Sequence, residues 1–351
     1  MTAAVDASIA VRRSSVSTMV GSAVLVIIAA GLFLLPYLVV PSQVFRMIDL
    51  CVFVVLGVMW NLLAGYAGMV SVGQQAYIGI GAYGLVYLAD QTGLDAFVAV
   101  PLAAVVAGIV AIPVSYLAFR LVGGYFAIGT WVIAEVARLV TVQSETLGSG
   151  SGLSLRSLAG TDRDLRIAFT YWWALGVAVA AVLISYLLIR SRLGIALTAI
   201  RDEPVAAASN GVDVVRAKRI VFAISAAGCG AAGALIALST LRVQPDSVFS
   251  VQWAAFMVFM VVIGGVGTLE GPIVGAVVFF VLREWLAQYG AVYLVILGVV
   301  AIAVTLFVPK GLWGLMNGGG RIRIFPVGHR LEVPSSAPKS APSPHVAQGV
   351  K

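Results

Sequence analysis

Charge is scarce in this chain. Only 11% of its 351 residues are Asp, Glu, Lys or Arg, against 61% hydrophobic, and the mean hydropathy is +1.04. A water-soluble globule needs far more polar surface, so a soluble two-domain enzyme is excluded. Histidine is confined to His329 and His345 in the polar C-terminal stretch, which leaves no imidazole chemistry inside the apolar part. The two cysteines, Cys51 and Cys229, lie within apolar runs and read as small buried hydrophobes, neither a disulfide nor a metal site. Also missing are a GxxxxGK[ST] phosphate loop, HExxH, CxxC and a GxSxG nucleophile in a strand-turn-helix setting. Any ATP that drives this chain is hydrolysed on another polypeptide.

Long apolar runs are abundant. A helix rises 1.5 Å per residue, so roughly 20 apolar residues cross a bilayer, and this composition supplies about ten such stretches. Unpaired backbone is not tolerated in hydrocarbon, which restricts the spans to helices or a closed barrel. Runs such as Met19 to Val40 lack the strict alternation of barrel strands. The expected fold is therefore all-α, a polytopic membrane protein with about ten transmembrane helices, some discontinuous. The first span is placed at Met19 to Val40. The others are expected at 44–64, 70–89, 97–119, 122–142, 171–189, 217–241, 252–266, 272–288 and 291–308.

The basic excess, 22 Lys+Arg over 15 Asp+Glu, sits between apolar runs without an aromatic-interleaved patch, so it reads as topology-setting charge and no nucleic-acid partner is expected. Arg12, Arg13, Arg120, the segment Arg190 to Arg219, and Lys310 with the tail fall on one side, which places both termini in the cytoplasm. The loop 143–170 falls outside, where Arg156, Arg163 and Arg166 run against the rule and Glu145, Asp162 and Asp164 partly offset them. The chain divides into a cytoplasmic segment 1–18, a membrane domain 19–315 carrying a cytoplasmic segment at about 190–219, and a Pro- and Ser-rich tail 316–351 expected to be disordered.

Two stretches interrupt the helical pattern at membrane depth, Gly65 to Gly84 (GYAGMVSVGQQAYIGIGAYG) and Gly264 to Ala276 (GGVGTLEGPIVGA). Glycines mixed with polar residues there point to discontinuous or closely packed helices beside a pathway. Asn61, Ser71, Gln74, Gln75 and Tyr77 at the first break, with Thr130 further on, either hydrogen-bond a polar solute or pair helices with one another. Among ionisable residues in apolar surroundings, Glu135 and Arg138 stand three apart on one helix, so they read equally as an ion pair and as functional groups. No chain of carboxylates or histidines marks a proton relay, which argues against a proton-driven secondary transporter.

The segment Ser191 to Arg219 is too polar to span and too apolar for a flexible tail. A short helix is expected at Glu203 to Asn210, with Pro204 in its first turn and Gly211 as its stop. Its small face, Ala206, Ala207 and Ala208, fits a groove on another protein. An amphipathic helix lying on the membrane surface is the other reading.

Together these stretches resemble the inner-membrane permease subunits of branched-chain amino-acid ABC transporters, the LivM type, from about Val44 to Leu315. The resemblance rests on WNLLAGYAGMVSVGQQAYIGIGAYG, GGYFAIGTWVIAEVARLV, LGSGSGLSL, SRLGIALTAIRDEPVAAASNGVDVVRAKRIVFAISAAGCGAAGAL, VVIGGVGTLEGPIVGAVV and VPKGLWGL, in order and sensibly spaced. It implies a transporter subunit, not an enzyme, resident in the bacterial plasma (inner) membrane. The implied partners are a second, LivH-like permease, two cytoplasmic ABC ATPases that hold ATP and Mg, an extracytoplasmic solute-binding protein and the lipid bilayer. This chain itself would carry no cofactor and no metal. By resemblance, Arg201, Asp202, Glu203, Ala206, Ala207 and Gly211 couple to the ATPase; the polar residues at membrane depth, Asn61, Gln74, Gln75, Tyr77 and Thr130, with Glu135, are the candidates for the substrate pathway. The alternative function is a passive pore for a small polar solute such as urea or an amide.

Overall fold

A computed structural model describes residues 11–12, 31, 35–290, 292–308, 311–317 and 330–331. The expected first span at Met19 to Val40 and the tail lie largely outside the described residues. Of the two ends, Val11–Arg12 pairs antiparallel with Arg330–Leu331.

After a single turn at Leu35–Leu38, the long helices follow in sequence: α1 Pro41–Asn61, α2 Gln75–Thr92, α3 Ala96–Ala118, α4 Gly124–Gln143 and α5 Arg163–Arg190. Two short helices come next, α6 Arg192–Asp202 and α7 Pro204–Ser209. The chain then continues through α8 Val214–Thr240, the one-turn α9 Pro245–Val248, α10 Gln252–Gly264, α11 Gly271–Leu286, α12 Val292–Phe307 and the one-turn-plus α13 Gly311–Met316. Each expected span after the first overlaps one of these helices, although α2 starts at Gln75 and α5 at Arg163. Among the described residues six helical segments, against about ten expected spans, are long and apolar enough to cross a membrane, and α12 is a shorter apolar one.

Helix starts follow local polar chemistry. Asp95 Oδ1 accepts from Phe97 N at 2.8 Å, Asp162 Oδ1 from Asp164 N at 2.9 Å, and Asp213 Oδ1 from Arg216 N at 2.9 Å. Each occupies two orphan donors or one at a helix entrance, worth about 1 kcal/mol apiece. The cap at Asp162 also explains why α5 begins at Arg163 and not at 171, where apolarity alone starts it. Likewise Ser191 caps α6, a helix the sequence reading did not separate from the coupling segment.

The centre is built from α1, α2, α3, α8, α10 and α11. The α2 and α8 backbones touch: an added Cβ at Gly81 would lie 2.0 Å from Gly230 O, and one at Gly233 would lie 1.9 Å from Ile78 O. Without a hydrophobic driving force between helices in lipid, such small-residue contact is what lets dispersion hold them together. A second nucleus is aromatic, with Phe53 of α1 edge-on to Phe279 of α11 at 5.0 Å and Phe256 of α10 at 4.7 Å from Phe279. Edge-to-face rings of this kind add about 0.5–1.5 kcal/mol beyond their burial.

The bundle has two distinct ends. At one, Arg46 pairs with Glu284 at 3.0 Å, Asp49 with Arg283 at 3.6 Å, and the ladder Leu153–Ser154 (β1) with Arg242–Val243 (β2) ties the loop after α4 to the exit of α8. Asp90 holds that loop down by accepting from Arg156 N and, at 2.9 Å, from Ser157 N. The opposite end carries α6, α7 and the two interrupted stretches. There Arg219 donates from Nε to Ser115 Oγ at 3.1 Å and lies 3.9 Å over the Tyr116 ring.

Candidate functional site

The two interrupted stretches meet. Past Asn61, α1 widens into a π-turn, Leu62–Tyr66, and α10 ends in the loop 265–270. Asn61 is 1% exposed and bridges the two: its Oδ1 accepts from Gly267 N at 2.9 Å and its Nδ2 donates to Thr268 O at 2.8 Å. A side chain at Gly65 would put Cβ 2.3 Å from Asn61 Oδ1 and 2.6 Å from Gly267 N, so only glycine permits this approach.

Arg201 enters the same junction from the last turn of α6. Its Nη1 donates to Gly65 O at 2.8 Å, and the position of a Cβ on Gly267 lies 3.2 Å from that nitrogen. Its stem rests on Gly68, which has φ +68°, and its Nε donates to Asp202 Oδ1 at 3.1 Å. One guanidinium therefore ties the end of α1 to the end of α6, beside the loop after α10. A planar fork with five donors suits such a contact where a lysine could not match it.

Beyond Arg201 the chain bends at the extended Glu203 and enters α7 with Pro204 in its first turn. Asp202, Glu203, Ala206 and Gly211 face outward with Val205, while Ala207 is buried. Asn210 Nδ2 donates to Ala206 O at 2.8 Å, and Gly211 takes φ +82°, stopping the helix where the sequence expects it. The expected helix Glu203 to Asn210 is α7 with one residue less at either end.

The other polar candidates separate into groups. Gln74 and Gln75 start α2, and Thr130 of α4 packs against the non-helical stretch before them. That stretch is fully tied: Trp60 Nε1 donates to Ser71 O at 2.8 Å, Val72 N to Thr130 Oγ1 at 3.2 Å, and Gly73 N to Ser71 Oγ at 3.3 Å. The ties explain why α2 begins at Gln75 and not at 70. Gln74 Nε2 lies 3.4 Å from Ser71 Oγ, but Gln74 Oε1 and Gln75 Oε1 are buried with no hydrogen-bond partner. Tyr77 is one turn further along, edge-on to Phe222 of α8 at 5.7 Å. Glu135 stands apart, near the end opposite α7, with Oε1 accepting from Arg138 Nη2 at 2.6 Å while Arg138 Nη1 reaches Asp246 Oδ1 at 2.6 Å.

Residues that the sequence reading passed over are Gly267, Thr268 and Asp246. The GVGTLEG run signalled the first two, whereas nothing local links Asp246 to Arg138. Among the described residues no group of three or more His, Cys, Asp or Glu is placed to hold a metal.

A bundle of membrane-length helices, interrupted twice beside buried amides and carrying a surface helix pair bonded to the first interruption, defines a multi-pass membrane protein. Residues 45–308 match the family described as branched-chain amino acid transport system / permease component, and the chain belongs to that family. It is 29% identical to the high-affinity branched-chain amino acid transport system permease protein LivM of Salmonella typhimurium over 287 residues, covering 74% of this chain and 67% of that protein. The LivM protein of Escherichia coli is 28% identical with the same coverage. A probable LivM of Methanocaldococcus jannaschii is 26% identical over 47% of this chain and 48% of its own length. No solved structure matches the chain.

Proposed function

We propose that this chain is a transmembrane subunit of an ATP-binding-cassette importer for branched-chain or related amino acids. Solute moves by alternating access, driven by ATPases on separate chains. The subunit sits in a bacterial inner membrane with about ten spans and both termini in the cytoplasm. It pairs with a LivH-like permease, with two ABC ATPases that bind ATP and Mg, and with an extracytoplasmic solute-binding protein.

The observation that carries this reading is Arg201. Asp202, Glu203, Ala206 and Gly211 present the outer face that meets the ATPase, and Ala207 seats α7 on the bundle. Directly behind them, the Arg201 contact with Gly65 O connects that face to the first interrupted stretch. A displacement of α7 therefore reaches the pathway through one extended residue, Glu203, and the Arg201 side chain. Gln74, Gln75, Tyr77 and Thr130 border the pathway. Asn61 and the Glu135–Arg138 pair hold its surroundings in place.

The test is purification from native membranes in mild detergent, followed by identification of what accompanies the chain. Recovery of a Walker-motif ATPase and a second permease, with ATP-dependent leucine uptake after reconstitution, is expected. Recovery of the chain alone, with solute flux that needs no ATP, would replace this reading by the passive pore.

A further inference from the structure

The start of α2 is the one place in the described bundle where a helix N-terminus coincides with buried polar atoms that lack partners. No side chain caps α2; Ala76 N and Tyr77 N turn back to Gly73 O and Gln74 O, which leaves the N–H groups of Gln74 and Gln75 as the free donors of this helix start. Four buried side-chain N/O atoms among the described residues have no hydrogen-bond partner, and two of them are Gln74 Oε1 and Gln75 Oε1. Gln74 is 0% and Gln75 1% exposed. The Gln74 carboxamide folds back over the helix start, its Nε2 3.4 Å from Ser71 Oγ, which also accepts from Gly73 N. Thr130, against which this start packs, stands six residues into α4, about 9 Å along that helix from its first residue, so the site is well inside the bundle. An uncompensated amide oxygen at such depth is unfavourable, and a retained one calls for a water, an ion, a ligand or a functional role.

The chemistry is two-sided. Free N–H groups and the positive end of the helix dipole attract a carboxylate. The unpartnered carboxamide oxygens accept N–H donors, and an ammonium offers three. A dipolar site of this kind matches the carboxylate and ammonium of an α-amino acid. A neutral amide or urea satisfies the oxygens but leaves the helix start without an anion.

We propose that the α2 N-terminus with Gln74 and Gln75 is a subsite for the zwitterionic head group of an α-amino acid, the backbone N–H groups taking its carboxylate and the two carboxamide oxygens its ammonium. The assignment rests on the amino-acid permease reading above.

The test uses the assembled transporter in proteoliposomes, normalised to the amount of complex. Uptake of labelled leucine is competed with leucinamide, which lacks the carboxylate, and with 4-methylpentanoate, which lacks the ammonium. In the unaltered complex both compete at least tenfold more weakly than leucine. Gln75→Met, close in shape, removes one ammonium acceptor. It is expected to raise the KM for leucine about tenfold and to shrink the preference for leucine over 4-methylpentanoate by a similar factor, leaving the preference over leucinamide in place. Gln75→Glu retains the acceptor and is expected to restore the preference over 4-methylpentanoate. Normal leucine uptake with both preferences unaltered in Gln75→Met, as for oxygens that merely hold water, overturns the subsite alone. An unaltered complex that carries urea or an amide and not leucine overturns the amino-acid reading together with it.

Discussion

Arg201 is where a single substitution separates energy use from transport. Arg201→Ala removes the Nη1 donor from Gly65 O, the packing on Gly68 and the exposed pair with Asp202. A hydrogen bond from a charged donor contributes about 1.5–3 kcal/mol. The Arg201 side chain is 39% exposed and its partner Asp202 is 70% exposed, so water replaces part of the first contact and the ion pair adds at most about 1 kcal/mol. The net loss is about 1–2 kcal/mol, a factor of roughly 5–30 in an equilibrium. If this contact favours one state of the bundle over the other, its loss lowers coupling by the same factor. The assay is leucine taken up per ATP hydrolysed by the reconstituted complex, with membrane-inserted protein quantified in parallel. Uptake per ATP is expected to fall about five- to thirtyfold while hydrolysis persists. Arg201→Lys, with a compact ammonium, recovers only part of the loss. An unchanged ratio in Arg201→Ala at normal assembly would refute the reasoning.

Other substitutions test the surrounding parts. Asn61→Leu strands Gly267 N–H and Thr268 C=O, at about 1–3 kcal/mol each, and should lower the thermal unfolding midpoint of the detergent-solubilised chain. Gly65→Ala inserts a Cβ 2.3 Å from Asn61 Oδ1 and 2.6 Å from Gly267 N, forcing the two interrupted stretches apart for about 1–3 kcal/mol. Its signature is a shift in protease accessibility of the loop 265–270. Gly211→Val places a β-branched residue at φ +82°, about 1–2 kcal/mol of strain, and should reduce recovery of ATPase in a pull-down while the chain still inserts. By contrast Asp246→Asn, at a side chain 83% exposed, should alter stability by no more than about 1 kcal/mol, and a larger change would show the Arg138 contact to be more than a surface ion pair.

Most helices were legible because most spans are apolar runs with polar ends, and hydropathy reports those directly. The two interruptions were legible from their glycines. Their meeting was not: Asn61 and Gly267 are 206 positions apart, and nothing in either local pattern encodes the partner. The amide of Asn61 is chemically the same whether it faces a solute or ties two backbones. Its two hydrogen bonds, not its residue type or burial, separate it from Gln74 and Gln75. Helix α6 escaped notice because its Leu193, Leu197 and Ile200 are interleaved with Arg192, Thr198 and Arg201, an amphipathic pattern too short to stand out beside true spans. Likewise the early start of α5 hinges on one hydrogen-bonding cap, which an average over apolarity overlooks.

The glycine contact between α2 and α8 divides the molecule mechanically. Helices whose backbones touch at Gly81, Gly230 and Gly233 cannot slide without carbonyl oxygens colliding, so this pair behaves as a stiff strut. The backbones of α10 and α11 touch in the same way, an added Cβ at Gly275 lying 1.8 Å from Met260 O and one at Gly264 1.9 Å from Gly271 O, whereas α1 meets α11 through phenyl rings, which rotate at lower cost. Spin labels across the strut should keep their separation throughout a turnover cycle, whereas labels spanning α2 and α11 should report two distances.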